Sequence, residues 1–434
     1  MSEEHATDLL IVGAGPAGIA AAVAAHHGKQ RITILDDNPH PGGQIWRGET
    51  QTPADAAAAK WFKRVRATNA QFINGARIFA QTEKGALLAE MADGETLSLR
   101  YQKLILATGA RERFLPFPGW TLPNVFGAGG LQALVKGGLP IAGKRVVVAG
   151  TGPLLLAVAA YLKKRGAQVL LLAEQAPFSK LVGFGLQVLL SVSKAQQALE
   201  LNWQLRGVRQ EYDCWPVAVH AEAAHGAGKL ERVTMRQGRR TFELACDYLA
   251  CGFHLVPNVE MAALLGCALR AGCVAVDEFQ QSSISGVFCA GESTGIGGVE
   301  VALIAGQIAG LAASNRHNDA RRFFTARAQA QRFADALNRA FALRAELKQL
   351  PQADTLVCRC EDVSFAQLQQ QPEWRAAKLH TRCGMGPCQG RICGPATEYL
   401  FGWQPTSVRP PAFPASIGSL AQVATSSSTS TSGE

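Results

Sequence analysis

Short apolar runs alternate along this chain with longer runs rich in alanine and leucine, a pattern typical of strands followed by helices. Two segments, Asp8–Ala25 and Lys144–Leu162, repeat the same order of an apolar run, a Gly-x-Gly-Pro turn and an Ala/Leu-rich run. Each is followed by a second apolar run, "RITILDD" and "AQVLLLAE". Strand, glycine turn, helix and strand in this order open a doubly wound domain. The pattern therefore predicts an α/β fold with two such domains.

The first glycine turn has the spacing Gly13-x-Gly15-x-x-Gly18, directly after a strand and at the start of a helix. In this context the motif binds a dinucleotide, because the glycines permit a tight turn and a close approach of the pyrophosphate to the backbone. Asp36 ends the next strand, about 20 residues further on, where an acidic side chain accepts hydrogen bonds from the adenosine ribose. The predicted site comprises Gly13, Gly15, Pro16, Ala17, Gly18, Asp36 and Asp37.

Later segments favour FAD over NAD as the dinucleotide. Thr108-Gly109 ends a strand as the "ATG" element of two-domain flavoproteins does, and "PGGQIWR" (Pro41–Arg47) matches their loop near the flavin ring. "GVFCAGE" (Gly286–Glu292) resembles the strand that brings an acidic side chain to the ribityl chain, although those proteins usually have Asp where this chain has Glu292. These segments add Gly43, Gln44, Arg47, Thr108, Gly109, Gly291, Glu292, Gly298 and Val299 to the predicted FAD site.

The second glycine turn departs from the motif, since Leu155 follows Gly150 and Gly152 where the third glycine belongs. A leucine there holds the helix away from the strand or crowds a cofactor. Glu174 ends the following strand and could still reach a ribose. Three alternatives stay open for this turn: a bound adenine nucleotide such as ATP or NAD(P), productive oxidation of NAD(P)H, or a scaffold without a ligand.

Four cysteines stand close together near the C-terminus, as Cys358-x-Cys360 and Cys383-x4-Cys388. Four thiolates are what a [2Fe–2S] cluster requires, so we predict that these four residues hold one. A structural zinc site is the main alternative, but such sites more often have paired C-x2-C spacing. Unligated cysteines are the third alternative. A dinucleotide site and a one-electron centre on one chain suggest electron transfer between flavin and cluster.

Composition limits the cellular compartment and the classes of partner that we expect for this chain. The 434 residues include eleven cysteines and carry a formal net charge of +9 that is spread along the chain. The opening "MSEEHATD" is no secretory signal, so we expect reduced thiols and a cytoplasmic protein. No nucleic-acid motif accompanies the charge, and no apolar run reaches the length of a membrane helix. We therefore expect neither a nucleic-acid partner nor an integral membrane segment.

The pattern predicts five segments along the chain. The FAD-binding domain is expected in residues 1–125 and, with a helical linker, in 246–350. The second nucleotide-binding domain lies between them in 126–245. A small α-rich [2Fe–2S] module is expected in 351–405, followed by a C-terminal tail in 406–434. The low-complexity end of this tail, "TSSSTSTSGE" (425–434), is expected to be disordered.

Six segments together resemble one family over nearly the whole chain: "VGAGPAG", "PGGQIWR", "ATGARERFLPFPGW", "VVVAGTGPLLLAVAA", "AGESTGIGG" and "VCRCEDV…TRCGMGPCQGRIC". This family is the alpha-type subunit of heteromeric flavin amine and amino-acid dehydrogenases, including the A-subunits of octopine and nopaline oxidases, the alpha subunit of D-hydroxyproline dehydrogenase and a subunit of hydrogen cyanide synthase. The C-terminal module resembles the bacterioferritin-associated ferredoxin type. That type usually ends in C-x2-C, so Cys393 is the reserve candidate for the fourth ligand.

The resemblance implies a division of labour between subunits. A beta subunit with its own FAD oxidises the amine, and electrons pass through an FMN near the subunit interface and the cluster to the FAD of this chain. A small ferredoxin-like gamma subunit and peripheral attachment to the inner membrane through the complex belong to the same expectation. The implied substrate is a secondary amine or amino acid, of the D-hydroxyproline or opine type, and no catalytic residue is assigned here. The alternative is a self-sufficient NAD(P)H-dependent FAD/[2Fe–2S] reductase.

Overall fold

The computed structural model describes residues 3–26, 30–48, 55–189, 192–221, 228–404 and 408–428. The chain forms two compact units. The first comprises Met1–Arg111, Pro257–Ala334 and Ser407–Glu434, and the second comprises Glu112–Val256 and Asp335–Thr406. Each unit is thus assembled from segments that are distant along the chain.

A seven-stranded sheet forms the centre of the first unit. Its strands are β1 (Glu3–Val12), β2 (Ile32–Asp36), β3 (Gln71–Asn74), β4 (Ala76–Glu83), β5 (Ala86–Met91), β6 (Thr96–Leu106) and β19 (Val287–Cys289). Their order is β3-β2-β1-β6-β5-β4, with β19 also paired to β6. β1, β2, β3, β6 and β19 run parallel, whereas β4 and β5 join as antiparallel neighbours. Fully buried strands such as β2 agree with the uninterrupted apolar runs of the sequence.

The helices of the first unit include two that begin at glycine turns. The helices are α1 (Pro16–Ala25), α2 (Ala56–Arg66), α7 (Glu260–Leu264), α8 (Gly298–Ala313), α9 (His317–Arg321), α14 (Ile417–Ser428) and α10 (Phe324–Ala340), the last ending in the second unit. A 3-10 turn covers Gly291–Thr294, and the short strands β17 (Leu269–Arg270) and β18 (Cys273–Val274) pair with each other.

Helices α1 and α8 pack backbone to backbone because α8 carries glycines at the contact. A Cβ atom on Gly306 would lie 2.2 Å from the carbonyl oxygen of Ala17, and one on Gly310 would lie 2.2 Å from that of Ala21. No real side chain tolerates such distances. The alanines of α1 and the glycines of α8 therefore fix how closely the two helices approach.

We expect Gly310→Ala to lower the free energy of unfolding by about 1–3 kcal/mol, because the added methyl forces the two helices apart. Gly183→Ala is the matched control, since Gly183 lies at an exposed helical position with open space around its Cα. At that position the same change should raise the free energy of unfolding by about 0.5–1 kcal/mol. Thermal unfolding of both variants measures the difference, and equal effects would contradict the close packing of α1 and α8.

The second unit contains a five-stranded sheet, a three-stranded sheet and several helices, besides the cysteine-rich segment. The elements are β8 (Val125–Gly127), α3 (Ala128–Lys136), β9 (Arg145–Thr151), α4 (Pro153–Lys164), β10 (Gln168–Glu174), α5 (Phe178–Leu189), α6 (Val192–Gln204), β11 (Arg209–Tyr212), β12 (Cys214–Ala221), β13 (Leu230–Gln237), β14 (Arg240–Ala245) and β15 (Tyr248–Phe253). Five strands form a parallel sheet in the order β11-β10-β9-β15-β8, and β12-β13-β14 form an antiparallel sheet. The short strands β7 (Ala110–Glu112) and β16 (Leu255–Pro257) also pair. The prediction of two doubly wound domains is thus confirmed.

The cysteine-rich segment folds as a small module around its own core. A 3-10 turn at Ala345–Gln349 precedes it, and its core is built on Leu368, Trp374 and the buried cysteines. Helices predominate, as expected from the sequence. The elements are β20 (Leu356–Cys358), β21 (Val363–Ser364), α11 (Phe365–Gln369), α12 (Trp374–Thr381) and α13 (Cys393–Phe401).

The C-terminal segment packs on the sheet of the first unit ahead of its low-complexity end. Ala415, Leu420 and Val423 pack against the buried apolar side chains of β4 and β5. The Ser419 hydroxyl accepts a hydrogen bond from Thr96 and donates one to Glu90, both at 2.9 Å. α14 extends to Ser428, and residues 429–434 lie outside the described part of the chain. Among the described residues, no helix combines the length and apolar character needed to cross a membrane.

Candidate cofactor sites

Two glycines of the first turn are required by the protein's own backbone. A Cβ atom on Gly13, whose φ is +106°, would lie 2.3 Å from the carbonyl oxygen of Ala107. On Gly18 it would lie 1.8 Å from the carbonyl oxygen of Gly13. These two positions therefore hold β1, α1 and β6 at close range, whatever is bound.

Gly15 is different, because neither conformation nor packing requires a glycine there. Its φ is −76°, an ordinary value, and an added Cβ would meet nothing nearer than the Cα of Gly43 at 3.8 Å. The missing side chain leaves space at the N-terminus of α1, where Pro16 takes the first helical position and the positive end of the helix dipole lies. A pyrophosphate fits this position, and the protein alone gives no other reason for the glycine.

Asp36 closes the turn from the carboxyl end of β2. One carboxylate oxygen accepts from the Ala14 N–H at 2.6 Å, and the other accepts from the backbone and side-chain nitrogens of Asn38 at 2.8 Å. A carboxylate has about four acceptor positions, so Asp36 retains capacity for a ribose hydroxyl. Next to it, burial and the charge of Asp36 raise the pKa of Asp37, whose carboxylate lies 3.5 Å from the guanidinium of Arg77.

The loop "PGGQIWR" lies against the glycine turn. Gly42 donates to the carbonyl of Ala14 at 2.8 Å, and a Cβ on Gly43 would lie 3.0 Å from the Cα of Gly15. Arg47 donates to the side-chain oxygen of Asn38 at 2.8 Å. The structure thus brings Gly43 and Arg47 to the predicted dinucleotide residues, while Gln44 of the same loop is exposed.

Asn258 holds the Thr108-Gly109 element, and sequence analysis missed this residue. The Thr108 hydroxyl donates to the Asn258 carbonyl at 2.7 Å, and the Asn258 amide group donates back to the Thr108 carbonyl at 2.9 Å. The backbone N–H of Asn258 also donates to the carbonyl of Gly109 at 3.0 Å. No motif marks Asn258, because its partners lie about 150 residues earlier in the chain.

Glu292 lies at the carboxyl end of β19, beside the start of α8. Its carboxylate accepts from the Gly298 N–H at 3.1 Å, and burial raises its pKa. The preceding Gly291 packs on α1, where an added Cβ would lie 2.8 Å from the side chain of Ala17. Gly291, Glu292, Gly298 and the half-buried Val299 therefore line up beside the first glycine turn, and the added methylene of Glu relative to Asp leaves the carboxylate bonded to α8.

The second glycine turn shares the backbone geometry but not the helix packing. Gly150 has a φ of +139°, and a Cβ there would lie 1.9 Å from the carbonyl oxygen of Gly252. Leu155, at the position of the missing glycine, is 2% exposed and lies against Gly252. A leucine that fills the core cannot also allow the close helix–strand contact seen at Gly18.

The Glu174 carboxylate accepts several hydrogen bonds at this second turn. Its carboxylate accepts from the Gly152 N–H at 2.7 Å, the Thr151 hydroxyl at 2.8 Å and the Ala176 N–H at 2.8 Å. Burial raises its pKa to about 7, although these hydrogen bonds oppose the rise. The carboxylate therefore resembles Asp36 in position, and it retains capacity for at most one more donor.

The chain itself covers the carboxyl edge of the second parallel sheet, where ligands bind in doubly wound folds. The carbonyl of Phe341 lies 3.0 Å from the Thr151 hydroxyl, and the Gln175 amide donates to the Ala342 carbonyl at 3.2 Å. Arg344 pairs with Asp213 and stacks on Trp215, with its guanidinium carbon 4.2 Å from the ring centre. Residues 341–344 thus pack against the carboxyl edge of this sheet.

Five thiols converge in the C-terminal module. The sulfur atoms of Cys358, Cys383 and Cys393 all lie within 4.8 Å of one another, and all three side chains are buried. Contacts with Cys383 and Cys393 lower the pKa of Cys358 to about 2, and contacts with Cys393 and the exposed Cys360 lower the pKa of Cys388 to about 5. The contact with Cys358 raises the pKa of Cys383, and contacts with Cys358, Cys383 and Cys388 raise the pKa of Cys393. Clustered cysteine sulfurs are the donor set that an iron–sulfur cluster requires, so the residues present fit such a cluster.

The four cysteines predicted from the sequence lie in this group, and Cys393 joins them. Sequence analysis named Cys393 only as a reserve, although Cys383, Cys388 and Cys393 recur at equal spacing. The glycines between them allow the close approach, since a Cβ on Gly386 would lie 2.3 Å from the Cβ of Cys360 and one on Gly384 would lie 2.7 Å from Trp374.

The chain is similar to known proteins over most of its length. The sequence profile described as "Pyridine nucleotide-disulphide oxidoreductase" matches residues 7–309. The opine oxidase A-subunit of Agrobacterium tumefaciens (strain Ach5) is 30% identical over 93% of this chain and 87% of that protein. Hydrogen cyanide synthase subunit HcnB of Pseudomonas protegens (strain DSM 19095 / LMG 27888 / CFBP 6595 / CHA0) is 32% identical over 88% of this chain and 89% of its own length.

A solved structure shares the fold over nearly the whole chain. L-proline dehydrogenase from P. horikoshii superimposes with a TM-score of 0.67 and covers 97% of this chain and 80% of its own. The sequence identity is 19%, so the likeness concerns the fold.

Proposed function

Because the chain belongs to the pyridine nucleotide-disulphide oxidoreductase family, together with HcnB and the opine oxidase A-subunit, we propose that it is the electron-relay subunit of a heteromeric amine or amino-acid dehydrogenase. The observation that carries the proposal is the group of five convergent thiols on a chain of this flavoprotein family. Four clustered cysteine thiolates are the donor set of an iron–sulfur cluster, which is a one-electron carrier. The relatives named as subunits support a partner chain.

The first unit holds FAD in this proposal. Gly13, Gly15 and Gly18 shape the turn, Asp36 binds the ribose, and the loops at Gly43, Thr108 and Glu292 line the rest of the site. When bound, FAD and a [2Fe–2S] cluster supply electron transfer in steps of one or two electrons. The residues of this chain bind and orient these groups.

The cluster ligands stay those predicted from the sequence, Cys358, Cys360, Cys383 and Cys388, with Cys393 as the competitor that the geometry adds. Metal analysis, acid-labile sulfide and low-temperature EPR of the dithionite-reduced protein test the assignment. We expect iron and sulfide in equal amounts and a one-electron signal. Zinc without acid-labile sulfide would contradict the relay proposal.

In this proposal a partner subunit oxidises the substrate. A flavin-containing beta subunit would oxidise a secondary amine or amino acid, of the D-hydroxyproline or opine type, as the name opine oxidase supports. An FMN at the subunit interface and a small ferredoxin-like gamma subunit complete the proposed complex. Purification of the native complex, with cofactor analysis and identification of the co-eluting chains, tests this part.

We expect NADH and NADPH to leave the flavin of the purified chain oxidised. Leu155 prevents the close helix–strand contact, and residues 341–344 cover the sheet edge that a nicotinamide dinucleotide would occupy. Anaerobic mixing with an excess of NADH, followed by absorbance of the flavin band, measures this, with dithionite as the positive control. Bleaching by NADH would favour the self-sufficient reductase instead. An adenine nucleotide that binds without hydride transfer stays compatible with Gly150, Gly152 and Glu174.

A further inference from the structure

Two buried cysteines of the first unit, Cys267 and Cys289, contact each other through their side chains. Both lie outside the C-terminal module, and the proposed electron transfer uses neither of them. Cys267 is 5% exposed and Cys289 is 0% exposed. Two thiols in direct contact differ from a single buried thiol, because oxidation can join their sulfurs by a covalent bond.

Hydrogen bonds hold both cysteines at this contact. The N–H of Cys267 donates to the carbonyl of Ala262 in α7 at 2.9 Å, and its thiol donates to the Ser282 hydroxyl at 3.4 Å. Cys289 ends β19, and its N–H donates to the carbonyl of Gln280 at 2.9 Å. The two thiols therefore already meet in the folded chain.

The two thiols differ in acidity. The contact with Cys289 lowers the pKa of Cys267 to about 7 against the effect of burial, and the Ser282 hydroxyl adds to the lowering. The same contact, together with burial, raises the pKa of Cys289. At neutral pH Cys267 is therefore about half thiolate, the form that attacks an oxidant, whereas Cys289 keeps its proton.

The two thiols also differ in depth. Gly266 and Ala268, on either side of Cys267, are exposed, and the exposed Leu269 begins the hairpin of β17 and β18 that follows. Cys267 therefore turns its side chain inward from a surface segment. Cys289 lies on a strand whose three residues are all buried. A small oxidant that arrives from solvent thus has the shorter path to Cys267, which is also the more acidic thiol.

We propose that Cys267 and Cys289 are a site of reversible oxidation, at which hydrogen peroxide converts the two thiols into a disulfide. The Cys267 thiolate attacks one peroxide oxygen, the O–O bond breaks, and a sulfenic acid and hydroxide form. The Cys289 thiol then attacks the sulfenic sulfur, and the S–S bond forms as the S–O bond breaks, with release of water. Hydroxide takes up the proton that Cys267 had lost, so two thiols and one peroxide give one disulfide and two waters.

The disulfide would connect the surface segment before β17 to the central sheet of the first unit. β19 pairs with β6 in that sheet and leads into Gly291 and Glu292. The chemistry requires only the two thiols and the peroxide. It is therefore independent of the cluster and of the relay role.

The test uses the full wild-type chain, first reduced and then treated with hydrogen peroxide. Remaining thiols are alkylated, and the chain is digested without reductant by trypsin and a glutamate-specific protease. Cleavage after Glu260, Arg270, Glu278 and Glu292 gives peptides 261–270 and 279–292, each with a single cysteine. We expect mass spectrometry to find these two peptides joined, and dithiothreitol to separate them.

Two variants examine the order of the steps. Cys289→Ser removes the second thiol, so we expect the sulfenic acid at Cys267 to persist and to be trapped by dimedone in this variant. Cys273→Ser is the matched control, since Cys273 lies in β18 of the adjoining hairpin, and it should give the joined peptides as the wild type does.

Absence of the joined peptides from the peroxide-treated wild type would overturn the proposal, and so would a bond from Cys267 to Cys273. The wild-type peptide map needs no substitution, so it decides the question even where Cys289→Ser fails to fold. Iron and sulfide analysis of the same preparation tests the proposed cluster separately.

Discussion

Gly15→Ala is expected to abolish stoichiometric FAD binding while the chain stays folded. The backbone of Gly15 has an ordinary φ of −76°, and a methyl group there meets protein atoms only at 3.8 Å. In the free protein the substitution therefore costs little. With FAD bound, the same methyl would stand where the pyrophosphate approaches the helix N-terminus. We expect affinity to weaken by about 100-fold or more, equivalent to about 3 kcal/mol, and a still larger loss for Gly15→Val.

Gly18→Ala provides the matched contrast within the same turn. Its methyl would lie 1.8 Å from the carbonyl oxygen of Gly13, so this variant should lose the fold as well as the flavin. FAD absorbance per chain, far-UV circular dichroism and thermal unfolding distinguish the two outcomes. A Gly15→Val protein that keeps stoichiometric FAD would show that the dinucleotide binds elsewhere.

The second large effect concerns turnover. We expect the isolated chain not to oxidise D-hydroxyproline or opines with a dye acceptor, and the complex with its partner to do so. Oxidation by a flavin needs a pocket that orients the substrate C–H over the ring, and the predicted site residues of this chain are assigned to nucleotide and cluster binding. Substantial turnover by the isolated chain would refute the relay role.

Within the complex, Cys358→Ser should reduce dye reduction to the background of the assay. Cys358 is one of the four predicted ligands, so we expect the cluster to be lost while substrate still reduces the partner flavin. Cys273→Ser is the control, since Cys273 is a half-buried cysteine of the first unit outside that group. Stopped-flow absorbance of the flavins separates the two steps. Unchanged dye reduction in Cys358→Ser would remove the cluster from the electron path.

Short-range patterns of the sequence were sufficient for the fold and for much of the first site. Gly18 is needed by its contact with Gly13 in the same turn, so a spacing of a few residues carries that information. Gly13 itself is needed by its contact with the distant Ala107, although the motif identifies it. The two parallel sheets follow from the repeated order of apolar run, glycine turn and helix. The same short-range pattern identified Leu155 as the residue that stands in place of the third glycine in the second turn, and its side chain is buried in the core.

Other features depend on residues that are distant along the chain, and only the tertiary structure decided them. Asn258 holds Thr108 from about 150 positions away, residues 341–344 cover the second sheet, and the C-terminal segment packs on β4 and β5. Cys393 joined the thiol group for the same reason.

The sequence by itself thus determined the glycine turns and the grouping of cysteines on which the predicted sites are based, because both patterns are local and chemically specific. The tertiary structure decided which side chains complete each site, because distances between side chains depend on how the whole chain packs.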